Sequence, residues 1–530
     1  MKTNGPYWPQ FLPNLQGSDV AYALSYSEQD KKSALNMSNQ YDPCQPVDAA
    51  DIDAWHAETD VLVVGFGGAG ACAALEAHYA GADVTILEVA SGSGGTTALA
   101  GGMMYLGGGT PLQQACGFED SVEDMEAYVT LASGPGGDRA KIHGYCHNSI
   151  DHYNWLVEQG VVFNPEFYGE KHTNTPQYQS LAFTGNEKGY LEAQAARPTP
   201  RGHKAKAFWE EGGSVLMATL TAAIDNTPVS VHYDSRVLAL VCSAGAVVGV
   251  LCRQEGEIRA LRARSGVVLC CGGFIMNEEM VSLYAPRLAQ GMAIGSPNDT
   301  GSGILMGMGM GGAAINMDEG FISVVWYPSG EFCKGVFINQ QGQRFFNEDC
   351  YHARGAHHCL NQTQSKVYMV VDSAIYTEPP LYADVSVVEV GETFEELEHD
   401  AGFAQGTLTH TMETYNRFAA QGEDPLFHKN PEFLQVLDKP PYALLDFSLD
   451  SGIYYPAFTF GGLDTTVDGE VLRASGKSIP GLYAAGRTTA GLPRSAEGYA
   501  SGMSIGDVTY FGRRAGGAAA ARGRTTPTSD

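Results

Sequence analysis

The sequence predicts an α/β fold in which one nucleotide-binding domain is assembled from two distant segments of the chain around an inserted α+β domain. Three observations lead to this expectation. Residues 59–88 have the pattern of a strand, a helix and a second strand, residues 235–274 add further strands, and apolar runs punctuated by glycine resume after residue 448. At 530 residues the chain is also too long for one ordinary core.

The first strong element is TDVLVVG, residues 59–65, a short apolar run rich in β-branched residues. Such a run is typical of a parallel strand that is buried on both faces. The chain then turns through GFGGAG into a segment with helical spacing, and ADVTILE, residues 82–88, predicts the second buried strand. Together these segments form a βαβ unit, so the first domain is expected to be Rossmann-like.

Later strands follow a different pattern. Residues 235–253 alternate like a hairpin around SAGA, and residues 257–274 run into another buried strand that ends on two glycines. From about residue 286 the sequence changes to a Met- and Gly-rich helix and mixed strand and loop. We therefore predict an N-terminal extension over 1–58, a first nucleotide-binding segment over 59–285, an inserted substrate (cap) domain over 286–448, and a second nucleotide-binding segment over 449–530.

Composition narrows the range of partners. The net charge is −28 and the pI is near 4.8. Such an acidic surface repels phosphate backbones and anionic lipid, so neither nucleic acid nor a membrane is expected as a partner.

The sequence also bears on the compartment. The N-terminal residues lack the continuous apolar stretch that an export signal has, and no window reaches the roughly 18 apolar residues of a membrane span. Eleven cysteines occur without CxxC pairs, which favours a reducing cytoplasm.

The turn after the first strand fits the G-x-G-x-x-G pattern over residues 65–70. Gly65 would permit the tight turn, Gly67 would let a pyrophosphate approach the backbone, and Gly70 would pack the helix against the strand. Glu88, at the end of the second strand, supplies the acidic residue that such a unit needs for a ribose hydroxyl. The sequence therefore predicts a dinucleotide site.

Residues 91–110, SGSGGTTALAGGMMYLGGGT, indicate which dinucleotide is bound. In a nicotinamide enzyme a helix would normally follow the second strand at once. Here the second strand is followed instead by a loop rich in Gly, Ser and Thr, which is better suited to bringing the backbone against a second flat ring of the cofactor. The loop therefore argues against a nicotinamide dinucleotide.

The motifs GFGGAG with ILE, GGTTALAGG, GVVLCCGGF, GQRFFNE, IPGLYAAGR and SIGDVTYFGRRAG occur in this order between residues 60 and 517. Together they resemble the FAD-dependent fumarate reductase/succinate dehydrogenase superfamily. Within it, YLGGGT, NED-x-Y and EGYASGMS make the chain most similar to the 3-ketosteroid dehydrogenases that introduce a 4,5 double bond into 5α-3-ketosteroids. The resemblance implies an FAD cofactor and an apolar 3-ketosteroid substrate, with an electron acceptor that the sequence does not identify.

Several departures from that superfamily's pattern carry information. Members with covalently bound flavin have a histidine where this chain has Gly95, so FAD is expected to be held non-covalently. Alignment on the shared motifs places the substrate arginine of fumarate-type enzymes at Tyr499 and their substrate histidine near Phe458, while their catalytic arginine falls around Tyr351 and His352.

Arg354 lies close to that last position, but one arginine makes a poor clamp for a dicarboxylate. The exchange of anion-binding groups for phenols and an aromatic ring suits a flat, neutral substrate with one carbonyl.

The resemblance also implies a set of cofactor contacts, of which Arg487 is in doubt because many relatives have glutamate after the glycine of YAAGR. The expected FAD contacts are Gly65, Gly67, Gly68, Gly70, Glu88, Thr96, Thr97, Gly101, Gly102, Gly272, Gly486, Ser504 and Ile505.

Desaturation of a 3-ketosteroid removes a proton next to the ketone and a hydride from the neighbouring carbon. Polarising the ketone oxygen makes that proton acidic, and a tyrosine can accept it if its pKa is lowered from about 10 by neighbours. Tyr351 is the expected proton acceptor or part of its relay, Tyr499 the ketone donor or the partner that activates the base, and Ser501 a relay hydroxyl. The sequence leaves these roles open to permutation.

Three alternatives remain at this stage. A Δ1-dehydrogenase would have a Tyr-Pro-Gly-Pro-Gly-like turn where this chain has Gly-Tyr-Ala-Ser-Gly, so Ser501 argues against it. A reductase of an unsaturated acid is disfavoured by the missing arginine and histidine, and a flavin-binding electron carrier would not need a cap domain. The adjacent His357 and His358 lack partners at ligand spacing, so no metal site is predicted.

Overall fold

The computed structural model describes residues 41–171, 174–324, 326, 329–378 and 385–525. Most of the predicted N-terminal extension, residues 1–40, lies outside the described residues, as do the last residues of the predicted second nucleotide-binding segment, 526–530.

The strands are numbered in chain order: β1 Val47–Asp48, β2 Ala57–Val64, β3 Val84–Leu87, β4 Met103–Tyr105, β5 Phe167–Tyr168, β6 Leu181–Ala182, β7 Gly202–Lys204, β8 Ser230–His232, β9 Arg236–Ser243, β10 Ala246–Gln254, β11 Glu257–Leu269, β12 Met292–Ala293, β13 Ala314–Ile315, β14 Gly320–Ile322, β15 Val336–Asn339, β16 Val367–Asp372, β17 Ser386–Gly391, β18 Tyr442–Asp446, β19 Pro456–Thr459, β20 Gly462–Leu463, β21 Glu470–Leu472 and β22 Ser478–Ala484.

The helices are numbered in the same way: α1 Gly68–Tyr79, α2 Gly95–Leu99, α3 Pro111–Ala115, α4 Val122–Ser133, α5 Arg139–His147, α6 Ser149–Glu158, α7 Tyr190–Ala195, α8 Gly212–Asp225, α9 Glu278–Tyr284, α10 Ser302–Gly309, α11 Ser329–Phe332, α12 His352–Leu360, α13 Phe394–Asp400, α14 Thr407–Ala419 and α15 Met503–Thr525.

The largest sheet carries the nucleotide-binding fold. Its strand order is β1-β9-β10-β11-β2-β3-β8, and β22 pairs with both β11 and β21. The pairs β11–β2, β2–β3 and β3–β8 are parallel, as expected of buried βαβ strands, while β9, β10 and β11 form the predicted antiparallel hairpin and its continuation. All four residues of β3 are buried, because helices cover the sheet.

Two distant parts of the chain meet in this sheet. Strand β22 pairs in parallel with β11, bringing Ala484 beside Leu269, and α15 packs lengthwise on α1. Small residues permit this helix contact, since a Cβ at Gly512 or Gly516 would lie 2.5 Å or less from the backbone of α1. The expected α/β fold, with its nucleotide-binding domain in two sequence segments, is therefore confirmed. The boundaries at residues 58, 285 and 448 stay predictions.

The inserted part contains a four-stranded antiparallel sheet of order β15-β16-β18-β17. A buried ion-pair network stabilises it around Glu348, which accepts hydrogen bonds from the Arg344 guanidinium at 2.7 and 2.9 Å and lies 3.2 Å from Lys429 Nζ. Burial acts to raise the pKa of Glu348, but the two cations outweigh it and lower the pKa below its usual range. The GQRFFNE motif is thus a structural element of this sheet.

None of the helices within the described ranges is long and apolar enough to cross a membrane.

Candidate active site

The turn between β2 and α1 forms one wall of an open cleft. Gly65 has φ +103°, and a Cβ there would lie 2.3 Å from the carbonyl oxygen of Cys270, which directly follows the neighbouring strand β11. A Cβ at Gly70 would lie 1.9 Å from the carbonyl oxygen of Gly65, so this glycine lets the helix approach the turn. Gly67, the residue before α1, would meet nothing closer than 3.7 Å, which leaves its backbone accessible from the cleft.

The cleft has an empty volume of about 860 Å³. Its lining includes eight of the predicted cofactor contacts: Gly65, Gly67, Gly68, Glu88, Thr96, Thr97, Gly272 and Gly486. The N-terminus of α1 therefore opens into this cleft, as it does at the pyrophosphate site of a dinucleotide-binding unit.

The Glu88 carboxylate closes one end of this cleft. Its side chain is buried, and its two oxygens accept hydrogen bonds from the backbone N–H of Phe66 at 2.6 Å and of Ala90 at 2.8 Å. Each oxygen keeps a second lone pair for a hydroxyl group. This geometry is what the predicted ribose contact requires.

Other predicted cofactor residues do not line this cleft. A Cβ at Gly101 would lie 2.3 Å from Asn174 Nδ2, and one at Gly102 would lie 2.1 Å from the backbone of Gly212, so both glycines permit close packing near the start of α8. Gly70 likewise has a packing role. Ser504 and Ile505 lie in the first turn of α15, where Ser504 Oγ accepts a hydrogen bond from the Tyr499 hydroxyl in the preceding loop.

Asp299 and Arg487 form an ion pair in the cleft, and the Thr96 hydroxyl donates a hydrogen bond to the same Asp299 oxygen at 2.7 Å. Arg487 Nη1 is buried and has no hydrogen-bond partner among the described residues. An unpaired guanidinium N–H group beside an open cleft is a donor for an acceptor group of a ligand.

The sequence did not predict the role of Asp299, because it lies in the segment assigned to the cap. Ser296, Asn298 and Met306 line the same cleft, so this part of the chain contributes to the nucleotide site. The signal that could have revealed it is the turn-rich SPNDTGSG stretch between two apolar segments.

Aromatic rings surround Tyr499 next to this cleft. The Tyr499 ring stacks on Phe460 with centroids 5.3 Å apart, and it contacts the edges of Phe321 at 5.1 Å and Phe458 at 6.3 Å. Phe321 and Phe458 in turn stack at 4.6 Å. The position where relatives were expected to hold a histidine, Phe458, is therefore part of an apolar wall. Arg487 lies over Phe458 at 5.4 Å, which joins this wall to the nucleotide cleft.

The structure brings two of the three predicted catalytic residues together. The Tyr351 and Tyr499 rings are 6.1 Å apart, one from the inserted part and the other from the loop before α15. Tyr351 precedes α12, and its backbone N–H donates to Asn186 Oδ1 at 2.7 Å. The backbone N–H of Ser501 donates to the carbonyl oxygen of Thr184 at 2.9 Å, so both loops are fixed by the same 184–189 segment.

Burial raises the pKa of Tyr499 above its ordinary value, although hydrogen bonding to Ser504 and the charge of Arg487 act in the opposite direction. The lowered pKa that sequence reasoning required of a tyrosine base is therefore not found at Tyr499. A phenol that keeps its proton is suited to donating a hydrogen bond.

A buried polar group supports the 184–189 segment, which the sequence analysis missed. Tyr105 donates to Glu187 Oε1 at 3.2 Å and stacks on Tyr128 at 5.3 Å, and the Tyr128 hydroxyl accepts from the backbone N–H of Asn186 at 2.8 Å. Burial raises the pKa of Glu187. The signal that could have identified this segment is TGNEKG, a polar run flanked by glycine directly after apolar residues.

Two further features lie beside Tyr351. A small cavity is lined by Tyr351, Phe183 and Phe433, among others. Arg354 does not face a substrate as a free cation, since it forms an ion pair with Glu192 and its Nε donates to the carbonyl oxygen of Glu497 at 2.9 Å.

A family model described as FAD binding domain matches residues 60–503, so the chain belongs to this family of FAD-binding flavoproteins. It is similar to the crystal structure of 3-ketosteroid-delta4-(5alpha)-dehydrogenase from Rhodococcus jostii RHA1 in complex with 4-androstene-3,17-dione. The identity is 41% and the TM-score 0.85, covering 90% of this chain and 99% of that one.

Two curated relatives are more distant. The 3-oxo-5-alpha-steroid 4-dehydrogenase of Comamonas testosteroni is 26% identical, over 86% of this chain and 97% of that protein. The probable fumarate reductase Ifc3 of Shewanella frigidimarina is 28% identical, over 97% of this chain and 83% of that protein. The resemblance predicted from the motifs is confirmed.

The residues of the cleft fit FAD on structural grounds. The glycine turn leaves room for a ligand to approach the backbone at Gly67, Glu88 retains acceptor capacity, and Arg487 holds an unpaired buried donor. These are the groups that a pyrophosphate, a ribose and a further polar acceptor require.

Proposed function

We propose that this protein is an FAD-dependent 3-ketosteroid dehydrogenase that introduces a 4,5 double bond into a 5α-3-ketosteroid. The observation that carries the proposal is the aromatic surrounding of Tyr499 at the position where fumarate-type enzymes hold a carboxylate. Phe321, Phe458 and Phe460 offer a flat apolar wall and no charge for a dicarboxylate. The similarity of the whole chain to a 3-ketosteroid dehydrogenase, at 41% identity, supports the same assignment.

The buried phenol of Tyr499 donates a hydrogen bond to the C3 ketone oxygen of the substrate. Because the surroundings are apolar, this hydrogen bond strengthens as negative charge develops on the oxygen, and the neighbouring C4–H becomes more acidic. Since burial raises the pKa of Tyr499, the phenol stays protonated through this step.

Tyr351, after its own phenol proton has passed to water, accepts the proton from C4 as the phenolate, directly or through the Ser501 hydroxyl. The electron pair of the broken C4–H bond forms the 4,5 double bond, and the hydrogen at C5 leaves with its own electron pair. Bound FAD supplies the acceptor for this hydride. Tyr351 is half-buried beside a cavity, so it has a route by which the proton can reach water, whereas Tyr499 is enclosed.

We propose that FAD is held without a covalent bond, because Gly95 offers no side chain where a histidine would be needed. Denaturation should then release the yellow cofactor into the supernatant, and flavin retained on the protein would contradict this. All eleven cysteines are free, which supports a reducing cytoplasm as the compartment.

Anaerobic bleaching of the flavin tests the proposal directly. We expect 5α-androstane-3,17-dione to reduce the purified yellow protein and to yield the Δ4-3-ketosteroid, identified by mass spectrometry and by its enone absorbance. If succinate or a Δ4-3-ketosteroid bleaches the flavin while the 5α-saturated steroid does not, the proposed reaction is wrong.

A further inference from the structure

A helical hairpin on the surface carries three metal-ligating side chains that the proposed reaction does not use. Helix α4 contributes Glu126, and α5 contributes His143 and His147, which are spaced i, i+4 and so lie on one face of the helix. Residues 134–138 connect the two helices and place them side by side.

The ligand atoms converge. His143 Nδ1 lies 3.2 Å from Glu126 Oε1, and His147 Nε2 lies 3.0 Å from Glu126 Oε2. The two imidazole rings are 3.9 Å apart, and the candidate ligand atoms all lie within 4.8 Å of one another. Ligands bound at about 2.0–2.2 Å around one ion are separated by distances of this order.

The donor set selects the kind of ion. Two imidazole nitrogens and a carboxylate suit Zn²⁺ and neighbouring transition metals, whereas Ca²⁺ and Mg²⁺ require sites built mainly from oxygen. His143 and His147 are exposed by 61% and 42% of their side-chain surfaces, so an ion can enter from solvent and keep water at its remaining positions.

The hairpin also supports the candidate active site. A Cβ at Gly498 would lie 2.3 Å from the carbonyl oxygen of Ala132 on α4, so the loop that carries Tyr499 rests directly on this helix. On α5, Tyr145 hydrogen-bonds to the carbonyl oxygen of Tyr105, and Lys141 Nζ donates to that of Ala490 at 3.2 Å.

We propose that Glu126, His143 and His147 form a zinc-type metal site that fastens α4 to α5. The ion joins two helices that the structure otherwise connects through packing and solvent-exposed contacts. Sequence reasoning expected no metal site, because the adjacent His357 and His358 lack partners at ligand spacing. It did not consider Glu126 with His143 and His147, which come together only when the hairpin forms.

Zinc titration of the FAD-loaded protein tests this inference. After treatment with EDTA and its removal, we expect one Zn²⁺ per chain to bind in isothermal titration calorimetry and to raise the thermal midpoint. Replacement of either histidine (H143A or H147A) should weaken this binding at least tenfold, and E126A should weaken it as well. His399, which is exposed and pairs with the adjacent Asp400, provides the matched control H399A with unchanged zinc affinity.

The inference is overturned if wild-type protein binds no stoichiometric Zn²⁺, or if H143A, H147A and H399A bind it with the same affinity. Circular dichroism spectra of the variants confirm that an exposed substitution has not unfolded the hairpin. Flavin content and steroid-dependent bleaching are recorded separately, so that failure of the proposed steroid activity remains distinguishable from failure of the metal site.

Discussion

The hydroxyl of Tyr499 donates a hydrogen bond to Ser504 Oγ across 3.0 Å, which ties the loop before α15 to the first turn of that helix. The same hydroxyl is the group that we propose to polarise the substrate ketone. Because a phenol has a single proton, it donates to the ketone only when the Ser504 hydroxyl turns to donate to the phenol oxygen. Ser504, expected from sequence to contact the flavin, therefore also fixes the orientation of the phenol.

Replacing Tyr499 with phenylalanine keeps the ring in its aromatic surroundings and removes only the hydroxyl. We expect the rate of flavin reduction by 5α-androstane-3,17-dione to fall about 10²-fold or more, the usual scale for an oxyanion or acid–base group. Stopped-flow bleaching measures this rate. S504A is the comparison, since it leaves the phenol in place and should lower the rate less. Near-normal turnover in Y499F would remove Tyr499 from the mechanism.

The ion pair between Arg487 and Asp299 predicts a measurable effect on cofactor affinity. In R487A the buried Asp299 carboxylate would lose its cation and repel the cofactor phosphates, so we expect the dissociation constant for FAD to rise at least tenfold. Fluorescence titration of the apoprotein with FAD measures it.

The double variant R487A/D299N should recover part of that loss, because it removes the unpaired carboxylate together with the arginine. If the losses of FAD affinity in R487A and in D299N simply add in the double variant, the two residues act independently.

Replacing either of two glycines of the same motif by alanine should affect a different property, FAD binding at Gly67 and stability of the fold at Gly70. In G67A the new Cβ would have ordinary contacts, the nearest at 3.7 Å, but would occupy the approach to the cleft, so we expect normal folding and weakened FAD binding. In G70A the Cβ would lie 1.9 Å from the carbonyl oxygen of Gly65, which forces α1 away from the turn and should lower the thermal midpoint of the apoprotein.

Thermal unfolding and FAD titration of both variants separate the two effects. A G67A protein as unstable as G70A would contradict the assigned roles, as would a G70A protein with the wild-type thermal midpoint.

The sequence predicted the secondary structure well in segments whose own apolar pattern determines whether they form a strand or a helix. The βαβ unit, the hairpin around SAGA and the second segment with β22 were all predicted, because burial on both faces leaves a long apolar signature in β2, β3 and β11. The pairing of Tyr351 with Tyr499 was expected only through the family resemblance.

Contacts between distant segments could not be predicted in the same way. Asp299 reaches the nucleotide cleft from the segment assigned to the cap, and Asn186 holds Tyr351 from 165 residues away in the chain. A single polar residue in a loop carries no periodic signal, so its partner is fixed only by the tertiary fold. The environment of Tyr499 is a similar case, since its burial, and hence its raised pKa, depends on Phe321 and Phe460.

Asp507 predicts a distinct pH dependence of stability. It is buried in α15, accepts a hydrogen bond from the backbone N–H of Leu492 at 2.8 Å and faces Lys141 and Arg494. Burial raises its pKa from 3.8 to about 6, and the hydrogen bond and two cations only partly offset this effect. Between these values the folded protein holds a proton that the unfolded chain has released, so this residue makes the protein less stable as pH rises towards 6.

The variant D507N removes this titration, and its Oδ1 can still accept from Leu492. Relative to wild type, its free energy of unfolding should therefore improve as pH rises from 4 to 7, by roughly 3 kcal/mol for the full change in pKa. Thermal midpoints of both proteins across this range measure the difference. The control D450N removes an exposed carboxylate whose pKa is lowered by its hydrogen bond to Lys366, so it should show no such gain. Parallel pH profiles for D507N and wild type would show that the Asp507 carboxyl titrates alike in the folded and unfolded states, which its burial against the backbone of Leu492 argues against.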